Sequence, residues 1–135
     1  MSQENVEIVR EVMRLFSEPG PAATERLREL FAADVHVDMS RRVFNPDTYD
    51  GHEGLLRLGR ETSSAWSAFT LTPERVIDAG DRVIVIETRR GRGRTSGIEV
   101  EQRSSTVWTL RSGQVVRMET DVAPAEALKA VGSTE

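Results

Sequence analysis

The second half of the chain constrains the fold most. Between residues 69 and 122 four strand-like segments follow one another: "FTLTPERVIDAG", "RVIVIETRRGRGR", "IEVEQRSSTVWTL" and "QVVRMETDV". Each mixes β-branched residues with polar ones in a period of two, the pattern of a half-buried strand. The connections around "AGD", "TSG" and "RSG" are too short for crossover helices, so neighbouring segments are expected to pair antiparallel. Segments this long, with polar groups on both faces, predict a sheet that bends around something.

The first half has a different rhythm. Val6, Val9, Val12, Met13 and Phe16 recur at helical spacing, and "SEPGPAAT" ends that helix because Pro19 and Pro21 lack backbone donors. A second helix is expected through "ATERLRELFAA", ending near Asp34. "VHVDM" then reads as a strand with Val35, Val37 and Met39 on one face and His36 and Asp38 on the other. "SRRVFNPDTYDG" reads as an irregular loop or lid. "GHEGLLRLGRETSSAW" resumes a helical pattern, with Gly54 and Gly59 as weak points in its interior. A short helix, "APAEALKAVG", opens on a proline and is expected to close at Gly132. Helices followed by a run of strands argue an α+β architecture: a cone-shaped, curved antiparallel sheet with three N-terminal helices on its concave face and a short C-terminal helix.

Composition narrows the function classes. The 135 residues suit one domain, 1–135, with room for a core of its own. A formal net charge of −4 gives no basic footprint for nucleic acid, and the arginines of "RRGRGRTSG" have no interleaved aromatic residues on which bases would stack. With no cysteine, disulfides, thiolate metal sites and a Cys nucleophile are excluded together. The charged N-terminus lacks the apolar core of a secretion signal and no apolar run reaches the ~20 residues of a membrane span, so a cytoplasmic protein without a membrane partner is expected. His36, His52 and scattered carboxylates have no recognisable metal-ligand spacing, and no metal or organic cofactor is expected.

The segments "SQENVEIVREVMRLF", "LRELFAADVHVDMS", "YDGHEGLLRL", "GRGRTSGIEVE", "VWTLRSGQVVRMET" and "APAEALKAVG", in this order, resemble a SnoaL-like protein of the nuclear transport factor 2-like superfamily. The resemblance covers nearly the whole chain. It implies an α+β cone, a small, largely apolar organic ligand in the pocket, and a homodimer formed through the sheet. Superfamily members include polyketide cyclases, ketosteroid isomerases, dehydratases, epoxide hydrolases and proteins without catalysis, so fold alone leaves function open. Ketosteroid isomerase chemistry does not fit: Met39 stands at that family's base position, with Asp38 one place earlier and therefore on the opposite strand face. The first helix lacks its tyrosine, and Thr106 falls near its oxyanion aspartate.

A SnoaL-type reaction needs an acidic side chain inside the cone. The candidates for catalysis are Asp38, Glu87 and Asp121, with Glu119 beside them as a ligand-binding acid. Glu87 shares a face with Val83, Val85 and Arg89, which suits either a pocket acid or a cross-strand pair at a dimer interface. In "QVVRMETDV" strict alternation puts Arg117, Glu119 and Asp121 together on a polar face. Candidate ligand contacts are His36, Tyr49, His52, Trp66, Arg89, Arg103 and Trp108. Asp50, ahead of Gly51 and Glu53, reads as a helix cap, which explains "DGHEG" as helix initiation but leaves Tyr49 and His52 unexplained. Two roles stay open: a cofactor-independent isomerase, cyclase or hydrolase, and a non-catalytic ligand-binding or dimerisation module.

Overall fold

A computed structural model describes residues 2–43 and 45–130. Helix α1 (Ser2–Ser17) turns Val9, Val12 and Met13 fully inward, with Val6, Leu15 and Phe16 half-buried beside them. At its end the Ser17 hydroxyl donates to the Met13 carbonyl and accepts from the backbone N–H of Leu71, at 3.1 and 3.0 Å, which ties the helix to the sheet. Helix α2 (Pro21–Leu30) starts on a proline, where a missing donor costs nothing.

Strand β1 (Phe31–Met39) follows α2 with no loop, three residues earlier than the helical pattern through Ala33 predicts. The reason is tertiary. The Phe31 ring is buried between Phe16 and Trp108, with centroids 6.2 and 6.5 Å away, and the residue pairs with Val115 on the neighbouring strand. Strand β2 (Asp47–Asp50) lies inside the stretch expected to be irregular and pairs antiparallel with β1, Val37 opposite Tyr49. Four residues carry too weak a period to be read as a strand.

Helix α3 (Gly51–Ala65) is continuous through Gly54, and a glycine is needed there because it lies against the Tyr49 backbone, where a Cβ would come within 2.9 Å of Tyr49 C. Strands β3 (Trp66–Ala79), β4 (Arg82–Gly93), β5 (Glu99–Arg111) and β6 (Gln114–Val122) pair antiparallel in sequence, as expected. The six strands form one curved, unclosed sheet in the order β2-β1-β6-β5-β4-β3, and only β1 and β6 run parallel.

The two faces of this sheet are unlike. On the inner face Val35, Val37, Val83, Val85, Trp108, Leu110 and Met118 pack against α1, α2 and α3 in one core. On the outer face helix α4 (Pro124–Ala130) sets Ala127 against Ile84, Val107 and Val122 in a smaller, separate cluster. The expected stop at Gly132 lies outside the described residues. No helix among the described residues is long and apolar enough to cross a membrane.

Candidate functional site

Strand β4 aims Val83, Val85, Glu87 and Arg89 at the same side by simple alternation. The first two belong to the roofed core, so Glu87 and Arg89 continue that inner face toward its rim. Glu87 is 3% exposed, opposite Ser104 on β5 and Pro73 on β3. Ser104 and Thr106, both buried, supply hydroxyls beside it, and Thr106 hydrogen-bonds to its carboxyl.

Strand β6 departs from alternation at this level. Val107 pairs with Glu119 and Ser105 with Val122, so Thr106 alone faces both Thr120 and Asp121. This is a β-bulge, and Asp121 takes up the extra residue with φ 58°. The bulge turns Asp121 away from Arg117 and Glu119 and onto the inner face, and moves Val122 to the outer cluster under α4. Strict alternation therefore misplaces Asp121, and would put Val122 on the inner face. Asp121 forms an ion pair with Arg89 Nη2 and accepts hydrogen bonds from Ser104 Oγ at 3.3 Å and Thr120 Oγ1 at 3.1 Å.

One guanidinium thus stands between a buried carboxylate, Glu87, and a half-buried one, Asp121. Arg89 Nε is 3.9 Å from Glu87 Oε2, beyond hydrogen-bond length. Glu87 Oε1, Arg89 Nε and Trp108 Nε1 are buried with no hydrogen-bond partner among the described residues. Burial pushes the Glu87 carboxyl up to about 7; Thr106 and Arg89 pull it down, and the charge of Asp121 raises it further. A carboxyl poised near neutrality can give or take a proton under ordinary conditions, which its usual value would prevent.

The remaining candidates are dispersed. Asp38 projects to the outer face, accepting from the Ser40 hydroxyl and N–H at 2.6 and 2.9 Å, with Arg41 at 3.5 Å and Arg117 at 4.0 Å. The two Ser40 hydrogen bonds, aided by the two arginines, hold it below the usual carboxylate range, so it stays ionised and away from the inner cluster. Glu119 pairs with Arg117 and Arg41 on the same outer surface. His36 also faces outward, its Nδ1 2.6 Å from Asp50 Oδ1. Asp50 occupies the cap position of α3, yet its side chain makes no capping bond; it goes to His36 instead. Arg103 pairs with Glu74 at 3.0 Å on the outer face, next to Thr88.

His52 donates its Nε2–H to the Phe31 carbonyl at 2.9 Å, fastening α3 to the start of β1. Tyr49 is wholly buried; its hydroxyl donates to Glu61 Oε1 at 2.6 Å and accepts from Arg42 at 3.0 Å, while the Arg57 guanidinium lies 4.2 Å from its ring centre. Trp66 lies over Gly91 at the rim of the inner face, 6.4 Å from Phe69. Trp108 is the largest fully buried side chain, edge-on to Phe31.

Two open depressions, of about 670 and 490 Å³, flank α3 on the side of the 45–50 segment. Their walls contain none of the candidate acids and are made mostly of exposed side chains. The buried, partly unsatisfied polar cluster around Glu87 is the stronger candidate site, because an unmet buried polar group demands an explanation and an exposed one does not. Sequence reading passed over Ser104, Thr120, Arg42, Arg57 and Glu61. For Ser104 a signal was present, since it alternates with Thr106 and Trp108 in "SSTVW". Among the described residues no three His, Asp or Glu side chains gather where they could hold a metal ion.

An open, curved sheet roofed by three helices is the fold shared with solved structures described as nuclear transport factor 2-like. Residues 9–118 match the model of the SnoaL-like domain, and the chain belongs to that family. Solved structures agree on the fold. A putative SnoaL-like polyketide cyclase from Jannaschia sp. CCS1 superposes with a TM-score of 0.77 at 19% identity, over 98% of this chain and 94% of that one. Bal32a from a soil-derived mobile gene cassette gives 0.77 at 20% identity, over 96% and 97%. A hypothetical protein with a ketosteroid isomerase-like fold from Catenulispora acidiphila DSM 44928, solved in complex with trimethylamine, gives 0.74 at 20% identity, over 94% and 93%. Comparison with curated protein sequences gives no match.

Proposed function

We propose that the protein, acting as a single domain, binds a small, largely apolar organic molecule against the inner face of its sheet and performs cofactor-independent acid–base chemistry on it through Glu87. One observation carries this reading: a carboxyl group 3% exposed, with one oxygen unsatisfied, on a strand face that Val83 and Val85 otherwise fill with aliphatic side chains. A purely structural strand gains nothing from a carboxyl there, since leaving a buried polar atom unmet costs about 1–3 kcal/mol. Perturbed acids of this kind gather at sites of proton transfer. The apolar neighbours on the same face, and Trp66 and Phe69 at its rim, suit a ligand that is mostly hydrocarbon with one polar end.

The test is a binding and turnover screen with apolar carbonyl compounds, followed by tryptophan fluorescence and product analysis, on the wild type and on Glu87→Gln. Binding by both proteins with turnover by the wild type alone supports the reading. Binding by both without turnover by either leaves the non-catalytic alternative. Turnover by Glu87→Gln at the wild-type rate would sink the role given to Glu87.

A further inference from the structure

We infer that Asp121 is a positioning residue: placed on the inner face by the bulge in β6, it engages the guanidinium of Arg89 and thereby leaves Glu87 as the acid free to give its proton to a ligand. This rests on the reading of Glu87 as the working group of the site.

The geometry is specific. In an unbulged β6 residue 121 would point outward with Arg117 and Glu119. The extra residue opposite Thr106 reverses it, at the cost of a left-handed backbone (φ 58°) that is strained for residues with a Cβ, though Asp and Asn tolerate it best. Once inside, Asp121 receives Arg89 Nη2, Ser104 Oγ and Thr120 Oγ1, whereas Glu87 has one hydrogen bond from Thr106, Arg89 only at 3.9 Å, and Oε1 unmet. Two carboxylates share one guanidinium, which pairs closely with Asp121 and reaches Glu87 only at 3.9 Å, so Glu87 is the less compensated of the two. The side chains are 4%, 10% and 16% exposed for Glu87, Asp121 and Arg89, and the more buried acid is the one more weakly compensated. The charged groups acting on Glu87 are Arg89 on its own strand and Asp121 on β6; β5 faces it with the hydroxyls of Ser104 and Thr106, and β3 with Pro73.

The test is the pH titration of the Glu87 side-chain carboxyl by carbon-detected NMR in the wild type, Asp121→Asn and Arg89→Gln. Asn keeps the left-handed conformation while removing the charge, and Asp121→Gly serves the same end if the first variant folds poorly. Removing Asp121 removes a repulsive charge and releases Arg89 to Glu87, so the midpoint falls from about 7; removing Arg89 takes away an attractive charge, so it rises. Each displacement is expected to be roughly one pH unit, the scale of a nearby charge. A merely structural role would let water in with either variant and move both midpoints down together. Shifts in the same direction, or none, overturn the inference while a wild-type midpoint near 7 leaves the role of Glu87 intact. A wild-type midpoint near 4.5 overturns both.

Discussion

Replacing Glu87 by Gln should stabilise the protein above neutrality and change little in acid. In the unfolded chain the carboxyl loses its proton near its ordinary value of 4.5; in the folded protein it holds the proton until about 7. Between those values the native state binds the extra proton, so this group's contribution is fully present below pH 4.5 and is lost as pH rises through 7. At about 1.4 kcal/mol per pH unit, the interval amounts to about 3 kcal/mol. Gln has nearly the same shape and no titration, so the stability of the variant minus that of the wild type should grow by about 3 kcal/mol between pH 4 and pH 8. Urea denaturation of both proteins at several pH values measures this. The subtraction removes the carboxylates common to both chains, including Asp38, whose lowered value gives the opposite slope. A difference that stays flat to within about 1 kcal/mol across that range would refute the claim that burial of Glu87 outweighs its partners.

Three further outcomes test the surrounding framework. Gly91→Ala places a Cβ 2.6 Å from the Trp66 ring, so the indole must move; a loss of about 1–3 kcal/mol with a changed tryptophan emission is expected, and an unchanged spectrum would contradict that packing. Tyr49→Phe leaves Glu61 and Arg42 without their shared hydroxyl and should cost about 1–2 kcal/mol in urea denaturation, whereas a neutral effect would mean the hydroxyl is replaced by water without penalty. His52→Ala should lower stability by roughly 1 kcal/mol through the lost bond to the Phe31 carbonyl. The same variant should leave ligand affinity unchanged, and a large loss of binding would make His52 a ligand contact as well as a fastener.

Element types were legible because their signals are local. Helical spacing of Val9, Val12 and Met13 located α1, and alternation in "VHVDM" sorted Val35, Val37 and Met39 from His36 and Asp38 onto the faces they occupy. The same reasoning grouped Glu87 with Val83, Val85 and Arg89. It failed for Asp121, since a bulge arises from the register between two strands and leaves no mark in the alternation of one. It failed again for Phe31, whose strand conformation follows from pairing with Val115 and from the rings on either side. Asp50 looked like a cap by position, but His36, fourteen residues earlier, offers its carboxylate a closer partner.

Among the candidate acids, the chain order alone established that Glu87 and Arg89 share a face with aliphatic residues, because a strand's period of two needs no partner to operate. Which face lies under the helices was settled only by assembly, through burial of that face against α1, α2 and α3. Assembly also brought Asp121 to Arg89 and sent Asp38 and Glu119 to the outer surface. Side-chain direction along a strand is a local property, whereas desolvation and charge pairing depend on what other segments place nearby.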